Sequence, residues 1–193
     1  MGWEREGFES HEGVVGVLLA DGSEPGPVYF DVGSSSYFHE STDWWAYDGT
    51  FRRPTATTMR GRCACGWRGE NTYPIDWEKA RRLEPYGYDT SGPEKDWDNH
   101  MDQVAARAIS LPEDVAALLR RLRERLDLLL DDAPLAALKA ADDLEVIVAM
   151  TGPHAASLVT RGQAIPMPQI AEALGMTEKA ARSRLLYYEH LNR

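Results

Sequence analysis

Cys63 and Cys65 stand one residue apart in the segment Gly61-Arg62-Cys63-Ala64-Cys65-Gly66-Trp67-Arg68-Gly69, and they are the only two cysteines of the chain. Two thiols at that spacing are poorly placed for a lasting disulfide, because the small ring they would close is strained and a reducing compartment would open it. They can instead bind one metal ion from a single turn. A structural Zn²⁺ site takes four ligands, mostly Cys and His, so two more must come from His11, His39, His100, His154 or His190. His100 is the first choice because it begins a predicted helix just after a linker. His39, between predicted strands, is the second. The competing reading is a pair of ordinary buried thiols beside an aromatic core. A catalytic thiol would need a base and an oxyanion site, and nothing around Cys63 or Cys65 identifies either. No enzyme is expected.

The second chemistry lies at the other end, in residues 166–188: Pro-Met-Pro-Gln-Ile-Ala-Glu-Ala-Leu-Gly-Met-Thr-Glu-Lys-Ala-Ala-Arg-Ser-Arg-Leu-Leu-Tyr-Tyr. Pro168 suits a first helical turn. Ile170 and Leu174 are four apart and share one face. Gly175 can take the left-handed conformation that ends a helix. Thr177 is a good cap for the next one, whose Ala181 and Leu185 again share a face.

Charge points to the same end. The net charge of −10 argues against a polyanionic partner. Residues 161–193, however, hold five basic side chains (Arg161, Lys179, Arg182, Arg184, Arg193) against three acidic ones (Glu172, Glu178, Glu189), so the acid excess sits in the remainder. An acidic body with a basic end would orient the protein on a duplex.

Residues 166–188 resemble the helix-turn-helix of bacterial regulators, and the stretch from Met176 to Leu185 is most similar to that of sigma factors and response regulators. The resemblance implies a second helix, 177–188, that enters the major groove by its N-terminal half. Thr177, Lys179, Arg182 and Ser183 would then face DNA. Arg182 would read a base, since a guanidinium can bond guanine in bidentate fashion, while Lys179, Arg184 and Gln169 would touch phosphates. One departure is Ala181, where those families usually carry Val or Ile. The chain as a whole resembles uncharacterised small actinobacterial proteins that combine a Cys-x-Cys-Gly-Trp-Arg segment, a Trp-x-x-His (here Trp97-Asp98-Asn99-His100) and a C-terminal helix-turn-helix.

The elements that must position these residues divide by composition. All six tryptophans and both cysteines fall in the first half, whereas the second is rich in Ala, Leu, Arg and Asp. Strands are predicted at 14–19, 28–32, 44–47 and 57–62, with turns at Gly33-Ser34-Ser35-Ser36 and Asp48-Gly49. A short helix is predicted at 75–83 and a linker at 84–94. Helices follow at 97–109, 112–131, 133–150 and 154–161. Within the strand at 44–47, Trp44 and Trp45 would face opposite sides, leaving one exposed for a ligand or partner. The leucine stripe from Val115 to Leu130 spans barely two heptads. It reads as the inside of an intramolecular bundle, with a dimer as the alternative.

The fold class expected is therefore α+β: a β-rich domain at 1–95, with zinc as its candidate staple, then a helical domain at 96–193 ending in the helix-turn-helix. The expected function is sequence-specific DNA binding by a transcriptional regulator, with double-stranded DNA as partner. The alternative is a protein–protein adaptor that contacts RNA polymerase or a sigma factor and uses its helix-turn-helix structurally. No run is long and apolar enough to cross a bilayer, and acidic residues precede the longest one where a signal peptide would be basic. A cytoplasmic, nucleoid-associated protein is the expectation.

Overall fold

The computed structural model describes residues 2–31 and 38–191. It is an α+β protein, about 59% helical, with small antiparallel sheets. It divides into two compact units, Met1–Ala106 and Arg107–Arg193.

The N-terminal unit holds both sheets. Strands β1 (Gly13–Leu18), β4 (Thr58–Cys63) and β5 (Tyr73–Pro74) form one sheet in the order β1-β4-β5. Strands β2 (Val28–Asp31) and β3 (Phe38–Ser41) form a separate antiparallel pair. On β4 the side-chain period of two is plain: Met59, Gly61 and Cys63 are buried while their neighbours are half-buried. β1 is buried along nearly its whole length, which its run of Val and Leu allows. The main core joins Val15, Val17, Val28, Met59 and Tyr47. The Tyr47 hydroxyl is satisfied by donating to the Gly26 carbonyl at 3.0 Å.

Two helices complete this unit. Helix α1 (Trp77–Leu83) starts two residues later than predicted, where the Asp76 carboxylate accepts the Lys79 N–H at 2.9 Å and caps it. Helix α2 (Ser91–Arg107) starts inside the predicted linker. It presents Trp97, His100, Met101 and Val104 at helical spacing on one face, with Trp97 and Met101 fully buried beside Cys63. That burial ties α2 to the sheet, so the unit ends well after residue 95, where composition alone divides the chain.

Two further expectations are corrected. Trp44–Ala46 is a 3₁₀ turn, not a strand, closed by the Ala46 N–H on the Asp43 carbonyl at 3.0 Å. The turn sends Trp44 against Trp77 and Tyr88 and Trp45 against Phe30, so neither indole is left exposed. The predicted helices at 133–150 and 154–161 are not separate either. The first runs on through Gly152 and a buried Pro153. Val32 and the turn at Gly33-Ser34-Ser35-Ser36 lie outside the described residues.

The C-terminal unit is helical: α3 (Glu113–Asp132), α4 (Pro134–Ser157) with a π turn at Leu158–Gly162, α5 (Met167–Leu174) and α6 (Glu178–Leu191). Its core cluster is Ala156, Ile170 and Leu185, with Val159, Ile165, Met167 and Tyr188 packed around it. Of the leucine stripe assigned above to the inside of a bundle, Leu122, Leu126 and Leu129 are half-buried, while Val115, Leu118, Leu119 and Leu130 are exposed. No residue of α3 is buried.

Candidate metal centre and the C-terminal helix pair

The sheet register assembles the candidate centre. β1 and β4 pair with Gly13 opposite Cys63. His11, two residues before Gly13, therefore comes to the end of β4, where its Nδ1 lies 3.6 Å from Cys63 Sγ. Gly13 has to be glycine, since a Cβ there would sit 2.5 Å from the Trp97 indole.

Beyond β4 the chain turns tightly. The Gly66 N–H donates to the Cys63 carbonyl at 3.0 Å, the Cys63 N–H to the Trp67 carbonyl at 3.0 Å, and the Ala64 N–H to the Glu12 carbonyl at 2.9 Å. Gly66 takes φ +98°, which only glycine adopts readily. This turn aims Cys65 Sγ back toward Cys63 and lets it accept the Trp67 N–H at 3.4 Å. The Trp67 ring then stacks on His100, with centroids 4.5 Å apart and planes 6° from parallel. Held that way, His100 Nε2 lies 3.4 Å from Cys65 Sγ.

His11, Cys63, Cys65 and His100 thus offer ligand atoms that all lie within 4.8 Å of one another and could hold a metal ion. Tetrahedral geometry gives a sharper test. With metal–sulfur bonds of about 2.3 Å and metal–nitrogen bonds of about 2.0–2.1 Å, the S···N edge is about 3.5 Å. The two S···N pairs, at 3.6 and 3.4 Å, already have that length. Among the described residues buried His11 Nε2 has no hydrogen-bond partner, so neither nitrogen of this ring is committed there to a strong bond elsewhere.

The thiols are chemically unequal. Hydrogen bonding from Cys63 holds the Cys65 thiol well below the ordinary thiol range, helped by His100, His11 and the Trp67 N–H. The same proton, shared with Cys65, pushes Cys63 up, and burial adds to it. Behind the ligands, the Trp97 indole N–H donates to the His11 carbonyl at 3.2 Å and fixes the backbone that carries the ring.

Cys63, Cys65 and His100 come together as the sequence suggests. His39 lies on β3 opposite Phe30, and its side chain lies outside the described residues. His11 is the member of the cluster that sequence reasoning did not favour. Its signal was one of register: the strand it precedes must pair with the strand that ends in Cys63.

In the C-terminal unit, α5 ends on Gly175 at φ 61°, ψ 35°, with its N–H on the Glu172 carbonyl at 3.1 Å and the Met176 N–H on the Ala171 carbonyl at 2.9 Å. Thr177 Oγ1 then accepts the Ala180 N–H at 3.2 Å and caps α6. Ala181 and Leu185 are buried, while Gln169, Lys179, Arg182, Ser183 and Arg184 are exposed and Thr177 is half-buried. Lys179, Arg182 and Ser183 share one face of α6, at spacings of three and four. Arg184 lies about 140° round the helix from Lys179.

Trp44 and Trp45 line a cavity of about 120 Å³ with Trp3, Asp43, Tyr86 and Tyr88. Small-molecule pockets usually measure about 300–1,000 Å³, so this one is too small for most ligands. No helix among the described residues is long and apolar enough to cross a membrane. No protein-family model, curated protein or solved structure matches the chain.

Proposed function

We propose that this protein is a transcriptional regulator whose α5–α6 pair binds double-stranded DNA and whose N-terminal unit is stapled by zinc. The observation that carries the DNA reading is the two-sidedness of α6. Its buried edge, Ala181 and Leu185, is spent on the core, and its outer edge offers Lys179, Arg182 and Ser183 to solvent. A small residue at 181 lets α5 and α6 approach closely, with Ala171 also buried at their crossing. In this reading Arg182 bonds a base edge in the major groove, Lys179 and Gln169 hold phosphates, and Arg184 takes a flanking phosphate.

Zinc is the metal that suits two thiolates and two imidazoles in a tetrahedral set. Four protein ligands fill that set, so the ion has a structural role and draws the N-terminal segment, the β4 turn and α2 together. The chain's own part is to present the ligands: Trp67 orients His100, Trp97 holds the His11 backbone, and the hydrogen bonds around Cys65 lower its pKa.

The DNA reading is tested by incubating the full chain with a randomised duplex library and recovering bound DNA over several rounds. Enrichment of one motif is the expected result. Binding to it should weaken steeply with salt, and Arg182→Ala should cost about 1–3 kcal/mol while relaxing the preference at one position. A library that stays random, with retention no better at low salt than at high, would overturn the reading.

A further inference from the structure

We propose that the cavity walled by Trp3, Trp44, Trp45, Tyr86 and Tyr88 binds a methylated ammonium head group, with the Asp43 carboxylate as its counter-charge. The cavity measures about 120 Å³ and lies wholly within the N-terminal unit. Five of its lining side chains are aromatic and one is a carboxylate. The others are Val, Thr and Pro, so among the described residues no Lys, Arg or His lines it. Ring faces carry negative electrostatic potential and attract cations, most strongly where water is kept out. A hollow made of rings and one negative charge therefore favours a positive guest over a neutral one and rejects an anion. The chain already uses one of these rings in that way. Lys79 Nζ lies 5.9 Å from the Tyr88 centroid, although Lys79 does not line the cavity.

The fold brings these side chains together and holds them. Trp44 and Trp45 reach one cavity because Trp44–Ala46 is a 3₁₀ turn. In a strand, successive side chains would face opposite sides. Each indole is backed by another ring: Trp44 by Trp77 and Tyr88 at 5.9 and 5.0 Å between centroids, Trp45 by Phe30 at 6.0 Å, and Trp3 by Trp97 at 6.0 Å. Asp43 is fixed from its own loop. Its N–H donates to Ser41 Oγ at 3.1 Å, and its carboxylate accepts the Ser41 hydroxyl at 2.9 Å. Walls that stand ready cost little ordering when a guest enters. Tyr86 is 75% exposed and stands at the rim, on the turn Pro85–Gly87. That turn follows Glu84, which takes φ 57° and ψ 159°, a strained backbone of the kind that gathers at ligand clamps.

Size and hydrogen bonding select a methylated head over a bare one. A cavity of about 150 Å³ holds benzene, with its six heavy atoms. On that scale about 120 Å³ takes about five, the number in a trimethylammonium group with its first carbon. A bare ammonium would leave most of the space empty. It would also bring three N–H donors to a wall whose one carboxylate already takes the Ser41 hydroxyl. The methyl groups of a trimethylammonium share its charge, need no acceptor and pack on the rings. Such a head belongs either to a free small molecule or to a trimethylated lysine side chain.

The test uses the zinc-loaded full chain without DNA and follows tryptophan fluorescence at constant ionic strength. Choline chloride is the free probe, and a short neutral peptide holding one trimethyllysine is the other. At least one should saturate with a dissociation constant on the order of 1 mM, and the tighter of the two identifies the source. The uncharged isostere of choline, with carbon in place of nitrogen, should bind at least about 10-fold more weakly. Tyr86→Ala should weaken binding about 2–5-fold, and Tyr86→Phe should keep it. Asp43→Asn should also weaken it about 5-fold. Should that variant unfold, the exposed Tyr86 pair decides. No saturation by either probe up to about 50 mM, an isostere that binds equally well, or a folded Tyr86→Ala chain that binds like the wild type overturns the proposal.

Discussion

Removing one metal ligand should unfold the N-terminal unit at a far lower temperature, and the size of the effect follows from the loops that the ligands close. His11 and Cys63 are 52 residues apart and Cys65 and His100 are 35 apart. The two loops are consecutive, not nested, so their closure entropies nearly add. Cross-linking loops of those lengths restricts the unfolded chain by about 4 kcal/mol each. Thiols of the unfolded chain also bind metal and return part of this, which leaves about 4 kcal/mol as a conservative net. For a unit of about 100 residues, that is a fall of about 15–30 °C in Tm. Cys65→Ser is the informative variant because Cys65 is exposed. As a plain surface change it should cost within about 0.5 kcal/mol, whereas as a lost ligand it should cost well above that, up to the full effect of chelation. The assay is tryptophan fluorescence against temperature, with and without a chelator, after zinc loading. All six tryptophans lie in this unit, so the signal reports it alone. Less than about a tenth of a metal ion per chain, or a Tm that moves by under about 2 °C in both Cys65→Ser and chelator, would refute the reasoning.

Other outcomes can be checked more simply. Gly13→Ala should destabilise the N-terminal unit by about 1–3 kcal/mol, read by the same fluorescence, because its methyl must displace the Trp97 indole 2.5 Å away. Gly175→Ala should cost about 1 kcal/mol, from the left-handed φ of 61°. That loss should appear in circular dichroism of the helices and leave the fluorescence transition in place. Acidification should release the metal, read by a zinc-sensitive dye, since each proton taken up by a thiolate or imidazole competes with the ion. The sign follows from that competition: bound thiolates and imidazoles hold fewer protons than free ones, so occupancy is full at neutral pH and falls as the pH is lowered. Lys179→Ala should weaken binding to all duplexes about equally and reduce the salt dependence by about one ion, unlike Arg182→Ala.

How much of this was legible beforehand depends on the range of the interaction. Local signals read true. The Gly175 corner and the Thr177 cap are properties of a few consecutive residues, and both have the conformation their types favour. Strands β1, β2 and β4 lie within two residues of their predicted bounds, because β-branched runs between turns depend little on the rest of the chain. What failed was set by distant partners. Trp44-Trp45 has the composition of a strand, but Trp77, Tyr88 and Phe30 supply aromatic surfaces that a turn reaches and a strand does not. Gly152-Pro153 looks like a break, yet Gly152 packs so closely on α6 that a Cβ would lie 2.5 Å from the Tyr188 ring, and the buried contact carries the helix through. His11 is the same lesson at the metal centre. Nothing within its own neighbourhood marks it, and only the register of β1 on β4 brings it to Cys63.

The close contact at Gly152 also decides how firmly α6 is held. α4 packs one side on α6 through Gly152, Ala156 and Tyr188. Leu138 and Val146, whole turns away from Ala156 and Pro153, lie exposed on that same side nearer the start of α4. The core that holds α6 is small, with Ala156, Ile170, Ala171, Ala181 and Leu185 buried inside a half-buried rim, so α6 keeps its orientation only as firmly as α4 keeps its own.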